Sequence, residues 1–213
     1  MRTNPLYDAW LALIGATGDH AGLGLWKWFF VVLFVVLLTS SAWIAVTAWR
    51  EDWDQRTPAH LATWLMRTLV GCMWFQNLLW KLPLGGPNGL SFWTEQEAGR
   101  AAFQIHRDLV TGLILPNFWL VNPFTFLIEL VFALSLMLGL GVRIVAVLAV
   151  PFVLQLWLGL YVERPGDIAE WPWAYIFLTF LMAMFGLSNA GRSLGLDGLL
   201  RGPDRADARF GAR

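Results

Sequence analysis

The chain is predicted to be an all-α polytopic membrane protein built on about five transmembrane helices. Two observations carry this expectation. Hydrophobic residues make up 57% of its 213 residues and charged ones only 14%, against roughly 25% charged in an average soluble domain. Mean hydropathy is +0.56, and the apolar residues gather into runs near the roughly 20 residues that a helix needs to cross the hydrocarbon. The load of 14 tryptophans fits the same class, because the indole prefers the membrane interface. A formal net charge of zero gives no case for nucleic-acid binding. The single cysteine, Cys72, excludes an internal disulfide framework or a cysteine-cluster metal site.

The first run, Leu25 to Trp49, is bracketed by Trp26, Trp28 and Trp49. It lacks a preceding basic region and so does not read as a cleaved signal peptide. A charged loop, Arg50 to Thr57, leads to Pro58, which suits the first turn of a helix. The second run, Leu61 to Leu82, is more polar, holding Arg67, Gln76, Asn77 and Lys81. A long connection follows, Pro83 to Val121, opened by the helix breakers Pro83, Gly85, Gly86, Pro87 and Gly89. Within it, Glu95 to Leu115 sets Glu95, Arg100, Arg107 and Asp108 against apolar neighbours, the pattern of an amphipathic helix on the membrane surface. A shorter stretch of this kind, Pro5 to Ile14, precedes the first run. The third run spans about Asn122 to Leu140 and contains Glu129. Gly139 to Arg143 is expected to form a tight hairpin into the fourth, Ile144 to Tyr161. The fifth, Trp171 to Leu187, precedes a Gly- and Arg-rich tail that frays in its last dozen residues. Residues 1–57, 58–200 and 201–213 thus divide into an N-terminal segment, a membrane core and a basic tail.

Lys and Arg in short loops set orientation. With the C-terminus in the cytoplasm, that side collects Arg50, Arg56, Arg143, Arg192, Arg201, Arg205, Arg209 and Arg213. The expectation is N-terminus out and C-terminus in, with the long connection on the outer side.

An ionisable group inside a span is costly and marks a candidate site. Glu129 falls about 12 Å below the outer surface at 1.5 Å per residue, with Gln76, Asn77 and Gln155 at about 6–9 Å by the same rise. Arg67 lies deeper, and two long side chains could just bridge it to Glu129. An acid and several amides beside Trp and Phe suit a quinone head group: a flat apolar ring, two carbonyl acceptors and a nearby proton carrier. On that reading Glu129 relays a proton while Asn77, Gln76, Gln155 and Arg67 hold the ring. Lys81, Arg100, His106 and Arg107 would attract an anionic substrate at the outer mouth. The bland alternative is structural: amides tying helices together and cations snorkelling to the interface. His20, His60 and His106 all lie outside the spans, so no histidine pair is set to ligate a membrane haem. No motif supports a metal, flavin or nucleotide.

Arg67-Thr68-Leu69-Val70-Gly71 and then Trp80-Lys81-Leu82 resemble the R-x-x-x-G opening and G-x-x-K-L close of the first core helix of the DoxX/DoxD family, with Asn77 replacing the usual glycine. Glu129-Leu130 and Leu138-Gly139-Leu140-Gly141-Val142-Arg143 are similar to its E-L…L-G-L-x-x-R hairpin. Asn189 to Asp197 resembles the G-A-G-R-x-S-L-D ending, with Gly195 inserted. The resemblance covers residues 61 to 200. It implies a four-helix DoxX-like core with one extra N-terminal transmembrane helix, in a bacterial inner membrane. It further implies a DoxD-like membrane subunit passing electrons from thiosulfate or another small sulfur compound to quinone, with a separate partner subunit at the outer face. The rival reading is a non-catalytic scaffold or anchor of a larger redox complex. A transporter fits less well, since no inverted repeat is visible.

Overall fold

The computed structural model describes residues 4, 7–8, 10–11, 23–82, 89–161 and 171–201. His20, the breakers 83–87, most of the Pro5–Ile14 stretch and the tail from 202 onward lie outside the described residues. Among the described residues there is helix and turn but no strand.

Helix α1 (Trp26–Glu51) leads through Asp52, whose side chain accepts from Asp54 N at 2.9 Å, into a short turn. Helix α2 (Pro58–Leu78) is capped by Thr57, accepting from His60 N, with proline in its first turn as expected. It tightens into a 3-10 turn, Leu79–Lys81. Then come α3 (Gly89–Arg100) and α4 (Gln104–Leu109). From α4 the chain continues through a π turn over Val110–Ile114 and a 3-10 turn over Leu115–Asn117 into α5 (Phe118–Leu138). Pro116 has no N–H to offer the carbonyl four residues back, and the helix absorbs that gap by changing pitch instead of ending.

This corrects the expected amphipathic helix over Glu95–Leu115. The chain breaks at Ala101–Phe103, where Phe103 is extended (φ −120°, ψ 140°) and Ala102 N donates to Leu158 O at 2.8 Å. The second half of the expected helix belongs to the long helical run that enters α5.

Helix α6 (Val142–Gly159) and α7 (Trp171–Leu187) follow, and a final 3-10 turn leads to α8 (Leu196–Arg201). The α5–α6 hairpin forms where it was expected. Gly139 and Gly141 adopt φ +70° and +64°, which glycine reaches without steric cost. The Asp197 carboxylate accepts from Gly141 N at 2.8 Å and Val142 N at 3.3 Å, satisfying orphan donors at the start of α6.

Among the described residues three helical runs are long and apolar enough to cross a membrane: Trp26–Glu51, Gln104–Leu138 and Val142–Gly159. That is the signature of a helical membrane protein. The other two expected spans differ from these for physical reasons. Helix α2 has 21 residues, but Arg67, Gln76 and Asn77 dilute its apolar content. The apolar stretch Ala174–Leu187 is shorter. Large apolar side chains on the bundle exterior, among them Trp43, Ile144, Val147, Phe177 and Met184, give the outward face that lipid requires.

The main packing pairs are α2 with α5 and α6 with α7. Gly71 permits the first, since a Cβ there would come within 2.9 Å of Met137 N. Edge-to-face contacts of Trp74 with Phe132 and of Phe132 with Phe152 centre the core. Polar groups gather toward both ends of this core. At one end Arg67, fully buried, donates to Leu136 O at 2.6 Å and Ser193 O at 3.4 Å, and Asp197 acts on it electrostatically. Nearby, His60 Nδ1 lies 2.9 Å from Ser193 Oγ. Lys81 lies at the other end.

Candidate functional site

Glu129 comes from the middle of α5, and Lys81 from the 3-10 turn that ends α2. That turn carries the ammonium inward, so it does not snorkel to the surface. Lys81 Nζ donates to both carboxylate oxygens, at 2.5 and 2.7 Å, with the two side chains 5% and 1% exposed. Glu129's expected partner, Arg67, is spent on carbonyls at the other end. The correction is geometric: α2 and α5 run antiparallel, so the turn that ends α2 sets Lys81 against Glu129 while the middle of α2 sets Arg67 against Leu136.

Three further groups converge beside this pair. Glu97, on α3, is buried, and its Oε2 accepts from Gln155 Nε2 of α6 at 2.9 Å. His106 Nε2, from α4, stands 3.7 Å from the same oxygen and 3.5 Å from Gln155 Nε2. Gly159 makes the approach possible, because a Cβ there would lie 3.0 Å from both Glu97 Cδ and His106 Cε1. Burial pushes the Glu97 carboxyl up to about 7, against the pull of the Gln155 hydrogen bond and the Lys81 charge. The charges of Glu97 and Glu129 both reach the Tyr175 phenol on α7.

Gln76 and Asn77 lie elsewhere. They line a cavity of about 400 Å³ on the side of the bundle, with Met73, Trp74, Trp80 and Leu178. Asn77 Oδ1 accepts from Trp80 Nε1 at 3.1 Å. Trp74 is buried, and its Nε1–H has no hydrogen-bond partner among the described residues. An indole N–H can only donate, so the residue behind this wall keeps a buried donor without an acceptor among the described residues. Lys81 links the two regions, its Nζ 4.8 Å from the centroid of the Trp80 ring.

The expected cationic mouth is not assembled. Lys81 is buried against Glu129. Arg107 Nε donates to Ala101 O at 3.0 Å, tying the break between α3 and α4. Arg100 closes the last turn of α3 and is not drawn into the cluster. His106 faces a carboxylate. Among the described residues no three potential metal ligands come together.

Sequence reasoning missed Glu97 and Tyr175, and read Asp197 only as the end of a family-like motif. For Glu97 a signal existed. Two residues from Glu95 on a helix, it must face nearly the opposite way, and Thr94, Glu97 and Ala101 fall on one face at i, i+3 and i+7. All three are buried.

Comparison with family models, curated proteins and solved structures gives no match to this chain.

Proposed function

We propose that the chain is the membrane subunit of a quinone-linked oxidoreductase of the DoxX/DoxD kind, taking a quinone from the bilayer into the groove between Trp74, Gln76, Asn77 and Trp80. The observation that carries this reading is an aromatic groove walled by Trp74 and Trp80 and edged by two amides, with the buried Trp74 indole N–H behind it lacking an acceptor among the described residues. A quinone offers what these groups lack: a flat ring for Trp80 and Trp74 and carbonyl acceptors for indole and amide N–H groups. Lys81, Glu129, Glu97 and His106 provide titratable groups on the adjoining side. Electrons come from a small sulfur compound such as thiosulfate, the donor that the resemblance implies, through a partner subunit at the outer face. In this picture α2 and α7 cross the inner membrane with the three longer runs, the N-terminus outside and the C-terminus in the cytoplasm.

Three contacts made by motif residues, two of them with other motif residues, support the family reading. Gly71 seats α2 on α5, a Cβ on Gly139 would meet Arg67 and Gly195, and Asp197 caps α6. One observation favours the anchor-subunit alternative. Lys81 occupies both oxygens of Glu129, which ties α2 to α5 whether or not chemistry occurs.

Purification in mild detergent, with solvent extraction of bound quinone and titration with a short-chain benzoquinone, tests the reading. Bound quinone, with affinity reduced about tenfold in Asn77→Leu through loss of a hydrogen bond, is expected. A protein that binds no quinone and copurifies with a stoichiometric larger enzyme is instead the anchor.

A further inference from the structure

Two buried carboxylates, Glu97 and Glu129, face a single buried ammonium, Lys81. If all three were ionised, one negative charge would remain in a low-dielectric interior, which is costly. The groups around them are Gln155 of α6, which is neutral, Tyr175 of α7, a phenol, and His106 of α4. Among the described residues, His106 is a group able to balance that charge, and its Nε2 stands 3.7 Å from Glu97 Oε2. The His106 and Glu97 side chains are similarly shielded, 11% and 9% exposed, and Glu129 is more deeply buried at 1%.

We propose that Glu97, His106 and Gln155 form a proton-loading site that takes a proton from water and delivers it to the Lys81–Glu129 pair. His106 takes up the proton and passes it from Nε2 to Glu97 Oε2, while Gln155 Nε2 fixes that oxygen. When Lys81 gives up a proton toward the groove, the Glu97 proton replaces it and Glu97 reloads through His106. The destination rests on the quinone reading above. Reduction of a quinone to quinol consumes two electrons from the donor and two protons, which this route supplies one at a time. Gly159 is a positioning residue, since any side chain there would push Glu97 and His106 apart.

Infrared spectroscopy of the purified protein in lipid tests the site without any electron donor. The wild type should give a protonated-carboxyl C=O stretch that shifts in D₂O and titrates away near neutral pH. Glu97→Gln should lack that band. His106→Asn should keep the band and slow its deuterium exchange, a change that a merely structural role for His106 would not produce. With a short-chain benzoquinone reduced at an electrode, Glu97→Gln should still bind quinone but take up protons about a hundredfold more slowly, the usual scale for a lost acid–base group, and Glu97→Asp should recover part of the rate. A carboxyl band unchanged in Glu97→Gln, or unchanged proton uptake with quinone bound, overturns the proposal. Failure of the wild type to bind quinone removes the reading of the groove, and the infrared result then decides the proton site by itself.

Discussion

Replacing Lys81 with methionine removes the ammonium and keeps most of its length. Glu129, 1% exposed, would lose the donor to both its oxygens, and Glu97 would lose the positive charge acting on it. Breaking one side of a buried ion pair costs about 3–5 kcal/mol because the partner charge is left uncompensated. The mirror change, Glu129→Gln, strands only Lys81, and Glu97 remains nearby to balance it, so its cost should fall toward the low end of that range. The double variant Lys81→Met/Glu129→Leu leaves no stranded charge at the pair and should lie within about 1–2 kcal/mol of wild type. Reversible unfolding in mixed lipid–detergent micelles measures all four proteins, and the double-mutant cycle isolates the coupling. The predicted order of stability is wild type, double variant, Glu129→Gln, then Lys81→Met. Single variants that each cost under about 1 kcal/mol, or a double variant no better than Lys81→Met, would refute a buried and mutually dependent pair. The cycle also bears on function. A Glu129→Gln protein inactive only because it is unstable regains activity when stabilised, whereas one that has lost a proton relay does not.

Glu97 predicts a pH effect on stability. Its carboxyl moves from an ordinary 4.5 to about 7 in the folded protein, so folding favours the protonated form. Stability is fullest below about pH 4.5 and declines as pH rises through about 7, by up to about 3 kcal/mol. Thermal unfolding of wild type and Glu97→Gln across that window should give a falling profile in the first and a flatter one in the second; parallel profiles would remove Glu97 as the cause. Asp197→Ala removes two bonds to the start of α6 and the nearest negative charge to Arg67. A stability loss of about 1–2 kcal/mol is expected, and Asp197→Asn should recover part of it if hydrogen bonding rather than charge dominates.

The amino-acid sequence by itself determined the helical class, the apolar runs of α1 and α6, the apolar body of α5 and the α5–α6 hairpin. These depend on local periodicity and on glycine's freedom at Gly139 and Gly141. It also identified Glu129 and Lys81 as groups needing a reason to be where they are, because depth along a helix follows from counting residues. It did not determine which cation Glu129 meets, since that depends on how α2 and α5 are rotated about their axes and on the 3-10 turn that brings Lys81 inward. Only the tertiary structure decided that Glu97 is buried. Its neighbours Gln155, His106 and Gly159 lie 58, 9 and 62 residues away, and the break at Ala101–Phe103 folds α3 and α4 against the end of α6. It also decided that Arg67 serves carbonyls of α5 and the C-terminal segment. A buried charge is satisfied by whatever acceptors packing brings within reach, and packing is a property of the whole bundle.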